Sequence, residues 1–229
     1  MDQPEIKSEI IHGNCLEVMK SMPSESVDLL FADPPYSISY LSCHHKYGNP
    51  FGEIKGDDKI SEEWLDEAAR LLKKDRFAYI FTRWDVYPAW VEAVGKRLKI
   101  KNMIVWVKNN HTAGDLEGNL AFKHELIIFA AKGDPKLYGK RDVNVWETPR
   151  VGTFSMSHPT EKPVALAQRA VAISTEPGWT VLDPFCGTGS TCVAAADLDR
   201  RAIGIEIEEK YVKVARERLT MASAQMKLF

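Results

Sequence analysis

The chain has 229 residues, 45% of them hydrophobic, which suits one large domain, or one domain with a small insertion. Lys and Arg number 30 against 32 Asp and Glu, for a formal charge of −2; this excludes a wholesale basic coat for nucleic acid and leaves room for a locally basic face. The four cysteines Cys15, Cys43, Cys186 and Cys192 form no C-x-x-C pair, and neither a secretory leader nor a run of about 18 apolar residues is visible, so reduced thiols, a cytoplasmic location and no membrane association are expected.

Ile10 to Asn14 reads as a short strand and turn, followed by a brief helix from Cys15 to Lys20. Val27 to Ala32 is an apolar run that reads as a buried strand and feeds Asp33-Pro34-Pro35-Tyr36. Such a turn puts a carboxylate, a constrained carbonyl and an aromatic ring at a strand's carboxyl end, where open α/β sheets bind ligands. It offers acceptors for an amino group and a ring to stack on a flat base. Residues 37–60 are polar, rich in Gly and Ser and without periodicity; a loop of that length inside a domain is usually functional. Within it, Cys43-His44-His45 lacks distant partners that would make a metal site, so no metal is expected.

Ser61 opens a predicted helix with Glu62 and Glu63 at its start and Lys73 and Lys74 at its end, as the helix dipole favours. A strand at Phe77–Phe81, a helix after Pro88 running to Leu98, and strands at Met103–Val107 and Leu126–Ala130 follow. Between Gly95 and Asn110 there is no acid, while Lys96, Arg97, Lys99, Lys101 and Lys108 are present; a solvated helix end and a basic face are both open. Trp106, Lys108, Asn109 and, more weakly, His111 are open to the same two readings, core or contact. Residues 131–157, with scattered Gly and Pro, Trp146 and several basic side chains, read as a loop or small β insertion. His158-Pro159-Thr160-Glu161-Lys162-Pro163 then starts a helix to about Ser174, with Thr160 as its cap and Pro163 in its first turn.

The strand Gly178–Leu182 leads into Asp183-Pro184-Phe185-Cys186-Gly187-Thr188-Gly189-Ser190-Thr191 and a helix over Cys192–Ala196. Strand, glycine turn, helix is the context in which a Gly-rich segment carries meaning. The pattern is G-T-G rather than G-x-G-x-x-G, and no G-K-[ST] follows, so a dinucleotide site and a phosphate loop both fit poorly. One strand later, Glu206 ends Ala202–Ile205, about twenty residues after Asp183, the offset of an acid that binds ribose hydroxyls. A last helix runs from about Glu208 to Thr220. The alternation predicts an α/β fold with a mostly parallel sheet covered by helices on both faces.

Asp33–Tyr36, His158–Pro163 and Asp183–Thr191, in that order, resemble the S-adenosylmethionine-dependent DNA amino-methyltransferases of the permuted, β-type order, in which the catalytic half precedes the cofactor half. The resemblance covers nearly the whole chain and implies a single Rossmann-like methyltransferase domain over 1–229. It implies methyl transfer from S-adenosylmethionine to the exocyclic nitrogen of a base flipped out of DNA. Asp33, Pro34, Pro35 and Tyr36 become the catalytic set, with Tyr36 stacking on the base. The cofactor set becomes Asn14, Cys15, Asp33, Thr160, Lys162, Pro163, Asp183, Pro184, Phe185, Gly187, Gly189, Ser190, Glu206 and Ile207. Asn14 departs from the family, which usually has an Asp there; an amide oxygen is still an acceptor. Cys15 and Cys186 are read as small packing residues beside the cofactor. The Asp form of the catalytic motif leans toward adenine N6, with cytosine N4 as the alternative, and RNA methylation or a catalytically silent partner module behind it. Residues 131–157 are implied as a short target-recognition insertion, 37–60 as a DNA-facing loop, and a homodimer is left open.

Overall fold

A computed structural model describes residues 8–35, 62–111, 117–138, 141–152 and 161–225. The elements are β1 (Glu9–His12), α1 (Cys15–Ser21), β2 (Val27–Ala32), α2 (Glu63–Leu71), β3 (Leu72–Thr82), α3 (Tyr87–Gly95), β4 (Lys99–Val107), β5 (His124–Lys132), β6 (Val145–Glu147), α4 (Val164–Ser174), β7 (Thr180–Asp183), α5 (Ser190–Asp197), β8 (Arg201–Glu206) and α6 (Glu209–Gln225). The strands form one eight-stranded sheet in the order β1-β8-β7-β2-β3-β5-β4-β6. β5 runs antiparallel to both its neighbours, and the remaining pairings are parallel. The predicted α/β architecture is therefore observed, with one local exception: β4 and β5 are joined without a helix among the described residues, so β5 returns antiparallel.

Alternating side chains send the sheet's two faces into two cores. Leu29, Phe31, Tyr79, Phe81, Ile127 and Val181 meet the apolar faces of α4, α5 and α6. Leu30, Ala32, Ile80, Ile128, Leu182 and Ile205 meet those of α1, α2 and α3. Burial of both faces explains why β2 is buried at all six positions and reads as an unbroken apolar run.

Two sequence expectations are corrected. The helix from Ser61 was predicted to keep Lys73 and Lys74 in its last turn, but α2 ends at Leu71 and both lysines lie on β3. The buried Asp28 of β2 draws them there: Lys73 Nζ reaches its carboxylate at 2.9 Å and Arg76 Nε at 3.0 Å, and the register between β2 and β3 shifts between Val27 and Leu29. A buried carboxylate holds its cations more firmly than a helix dipole does. Pro163 occupies the N-cap position of α4 rather than its first turn, without a side-chain cap bond. The segment 131–157, read as a loop or small β insertion, begins inside β5 and contributes the short strand β6 to the sheet edge beside β4.

Candidate active site

The parallel strands β1, β8, β7, β2 and β3 all end on one side of the sheet, and the candidate residues collect there. β2 delivers Asp33 and the buried Pro34, followed by half-buried Pro35. Next to it β7 delivers Asp183, and the two carboxylates are close enough for Asp33 to act on the titration of Asp183. Beyond β7, β8 ends at Glu206, and the Gly13 N–H donates to the Glu206 carbonyl at 3.0 Å, bringing Asn14 and Cys15 alongside. Asp33, Asp183, Glu206, Asn14 and Cys15, remote in sequence, thus line one rim.

On the β7–β8 side, Asp183 is 4% exposed; its Oδ1 accepts the Phe185 N–H at 3.0 Å and the Thr191 hydroxyl also bonds to it. Burial drives its carboxyl up to about 7, and the neighbouring carboxylates of Asp33 and Glu206 push the same way. Glu206 is also raised, first by burial; the N–H groups of Glu208 (2.7 Å to Oε1) and Gly187 (2.9 Å to Oε2) work against that. A carboxylate has about four lone-pair directions, so both oxygens retain acceptor capacity. Ile207 next to it is 43% exposed, an apolar surface beside an acid. The Phe185 ring packs edge-on against Trp64 of α2 at 5.1 Å. Gly189 caps α5 in the left-handed region, with φ of +81°.

Two features of this loop fit a bound ligand. Gly187 has φ of +49°, and a Cβ built there meets nothing within 4 Å, so the backbone borders open space. Ser190 Oγ at the start of α5 is buried and has no hydrogen-bond partner among the described residues, so a polar group is wanted there. Carboxylates that no cation pairs with among the described residues, an unsatisfied hydroxyl, an open glycine edge and an exposed isoleucine suit a ligand with positive charge, hydroxyls and a flat ring. S-adenosylmethionine has all of these.

The β2 side is arranged differently. Lys162, just ahead of α4, sets its Nζ 2.5 Å from Asp33 Oδ2 and 3.3 Å from Glu125 Oε2, and Lys108 Nζ lies 2.5 Å from Glu125 Oε1. Burial opposes the charge of Lys162, but Asp33 and Glu125 outweigh it and raise its titration above that of an ordinary lysine. Burial likewise opposes ionisation of Glu125, and Lys162 and Lys108 outweigh it, so its carboxyl sits below the usual range. Lys162, expected against the cofactor, thus pairs with Asp33, the carboxylate that the sequence marks as catalytic. Glu125 and Lys108 are the residues that sequence reasoning missed in this role; the register of the antiparallel β4–β5 pair, which sets Trp106 against Glu125, brings them in, and no local motif marks it.

Other expectations resolve individually. Asn14 Oδ1 accepts from the N–H groups of Leu16 (2.9 Å) and Glu17 (3.4 Å), so its oxygen caps α1. Burial lifts the Cys15 thiol to about 11, and Cys186 and Cys192 are buried against each other, consistent with packing roles. The basic stretch is consumed internally: Lys96 and Arg97 pair with Glu62, Glu92 and Asp66, Lys99 and Lys101 with Asp134, and Lys108 with Glu125. Trp106 is core, donating to the Thr148 carbonyl at 2.8 Å, and Asn109 Oδ1 accepts from the Arg150 N–H. Tyr36, Thr160, the segment 37–60 and Cys43 to His45 lie outside the described residues.

Residues 27–217 match the family described as DNA methylase, the N6 and N4 methyltransferases. The chain belongs to that family. It is 34% identical to the Escherichia coli protein described as putative methylase YubD, over 96% of this chain and 93% of that one. It is 34% identical to the E. coli DNA adenine methyltransferase YhdJ (93% and 83%) and 32% identical to the type II methyltransferase M2.DpnII of Streptococcus pneumoniae (93% and 90%). Among solved structures, M1.HpyAVI in complex with SAM superposes with a TM-score of 0.70 at 26% identity, over 92% of this chain and 99% of that one. The cytosine-N4-specific PvuII DNA methyltransferase, at 17% identity, shares the fold, with a TM-score of 0.71 over 98% of this chain and 95% of that one. This chain is thus an S-adenosylmethionine-dependent DNA methyltransferase. No helix among the described residues is long and apolar enough to cross a membrane.

Proposed function

We propose that this enzyme methylates the N6 amino group of adenine in DNA, with Asp33, Pro34, Pro35 and Tyr36 as the catalytic set. The observation that carries the reading is the Asp33 carboxylate at the end of β2, beside the Asp183 loop and in the Asp-Pro-Pro-Tyr form of the motif. A relative named for adenine methylation, YhdJ at 34% identity, supports the choice of base.

An exocyclic amine is a weak nucleophile because its lone pair is delocalised into the ring. Asp33 and the Pro34 carbonyl accept its two hydrogens, which favours a pyramidal nitrogen and aims the lone pair. Tyr36 stacks on the extruded base, which has to leave the duplex to enter the site. S-adenosylmethionine supplies an electrophilic methyl group on a sulfonium. With the cofactor bound, transfer to the nitrogen would leave a positive charge on the amine and a proton to lose, beside the Asp33 carboxylate. Asp33 contributes positioning and electrostatic stabilisation of that developing charge. Glu206 receives the ribose hydroxyls, Ile207 flanks the adenine ring of the cofactor, and Asn14 and Cys15 border it. Asp183, Pro184, Phe185, Gly187, Gly189 and Ser190 line the methionine end, with Thr160, Lys162 and Pro163 closing over it.

The same reading treats 1–229 as one methyltransferase domain, 131–157 as the target-recognition segment and 37–60 as a loop facing DNA. It places the enzyme in the cytoplasm. A recognition segment this short reads few bases, which suits a homodimer on a palindromic site. The test is product identity. The protein is incubated with S-adenosylmethionine and unmethylated duplex DNA of mixed sequence, and the digested nucleosides are read by mass spectrometry. N6-methyladenine is expected; N4-methylcytosine would transfer the reading to the other base, and no methylated nucleoside would overturn it.

A further inference from the structure

Four charged side chains of alternating sign form a row at the catalytic end: Lys108 of the β4 end, Glu125 of β5, Lys162 ahead of α4, and Asp33 after β2. Successive separations are 2.5, 3.3 and 2.5 Å, and each side chain is less than a fifth exposed, at 13, 19, 10 and 19%. The row rests on aromatic rings, with Lys162 Nζ 5.1 Å from the Phe81 ring centre and Lys108 Nζ 5.2 Å from that of Trp106. Water is largely kept away, so these charges act on one another with little screening. Asp33 alone needs to meet the amine; the two outer members need another explanation.

The chemistry supplies one. A Lys162–Asp33 pair standing alone is close to neutral, and a neutral pair is a poor complement to the positive charge that grows on an alkylated amine. Glu125 lies 3.3 Å from the same ammonium and draws on the same charge. We propose that Glu125 is a positioning residue that shares Lys162 with Asp33, so that the Asp33 end keeps net negative charge during methyl transfer, and that Lys108 limits that pull by holding the far oxygen of Glu125. The proposal rests on the reading of Asp33 given above and extends it to two residues that touch neither base nor cofactor.

A further charged group near the row is Asp183 of β7, which feels Asp33; His124 and Glu147, level with Val107, alternate onto the other face of the sheet. Lys123 lies beside Lys108 through its carbonyl. They are present alike in every variant below, so differences between variants report the row itself.

Glu125→Gln removes a negative charge without changing shape. Lys162 then loses one of its two carboxylate neighbours and is drawn more strongly to Asp33, so the acid limb of the kcat profile, where Asp33 must ionise, moves to lower pH. The plateau falls about tenfold, the usual scale for partners one shell behind a reacting group. Lys108→Met removes a positive charge, and the same limb moves to higher pH. Both are measured in the full-length enzyme on duplex DNA, with the affinity for S-adenosylmethionine and the melting temperature followed in parallel. Opposite shifts, with cofactor affinity retained in Glu125→Gln, support the proposal; a structural role would lower stability and leave the limb in place. Shifts in the same direction, or an unmoved limb with an unchanged plateau in Glu125→Gln, overturn the proposal alone. Absence of methylated DNA with the wild type overturns the reading of Asp33, and this inference with it.

Discussion

The two halves of the site solve the problem of buried carboxylates in opposite ways. Around Asp33 the protein brings its own cations, Lys162 directly and Lys108 through Glu125. Around Asp183 no cation pairs with it among the described residues: the partners are the Phe185 N–H and the Thr191 hydroxyl, and burial drives the carboxyl up to about 7. Glu206 beside it is held by backbone N–H groups and is raised as well. The catalytic half is electrostatically complete in the folded chain, whereas the cofactor half is poised to gain stability from a cationic ligand. On the assignment proposed above, the difference separates a carboxylate that serves chemistry, Asp33, from one that serves binding, Asp183.

The sharpest way to break that division is Asp33→Ala. Loss of a preorganised charge aimed at the reacting nitrogen predicts a fall in methyl transfer of about a thousandfold or more. Calorimetry on the same variant predicts cofactor binding close to that of the wild type. A variant that still methylates at the wild-type rate would remove Asp33 from the chemistry.

Asp183→Asn probes the other half. Affinity for S-adenosylmethionine falls by about ten- to a hundredfold, the 1.4 to 3 kcal/mol scale of a charge-assisted contact. Stability moves the other way. The folded chain holds the Asp183 proton up to about pH 7, against 3.8 ordinarily, so ionising it costs stability progressively as pH rises between those values. The Asn variant is free of that cost. Thermal melts without cofactor should show it more stable than wild type at pH 8, by up to a few kcal/mol at about 1.4 kcal/mol per unit, with the gap closing near pH 4. Equal melts at both ends would mean that Asp183 is not strained by burial.

Gly204→Ala sharpens the packing side of the comparison. A Cβ there meets Cys192 Sγ at 2.7 Å, Cys186 Sγ at 2.8 Å and Ile10 at 2.8 Å, atoms that fix β8 against the cofactor loop. Urea unfolding should show a loss of about 1–3 kcal/mol. The smallest effect belongs to Asn14→Ala, about 1 kcal/mol from the lost cap of α1; a larger loss of cofactor affinity than of stability would return Asn14 to the binding set.

What could be read from the chain follows where the determinants are local. Asp33 with its prolines, and Asp183 with its glycine turn, announce themselves because a strand, a turn and a helix are consecutive in sequence. The paired faces of the sheet were legible in the apolar runs of β2, β3, β5 and β7 for the same reason. Lys73 misled because its partner, Asp28, lies in another strand, and a lysine after a helical stretch looks the same with or without a buried acid to reach. Glu125 and Lys108 were invisible as a pair because only the antiparallel return of β5 along β4 joins them. The basic stretch from Lys96 to Lys108 offered two readings, and its acids, Glu62, Asp66, Asp134 and Glu125, come from outside it.

Calorimetric titration of the wild-type enzyme with S-adenosylmethionine between pH 5.5 and 7.5, repeated in buffers of different ionisation enthalpy, tests the contrast between the halves most directly. The account predicts tighter binding as pH rises toward 7 and release of protons at the acidic end, as the arriving cation ionises Asp183; Asp183→Asn should abolish both. Affinity independent of pH, with no proton released, would contradict it.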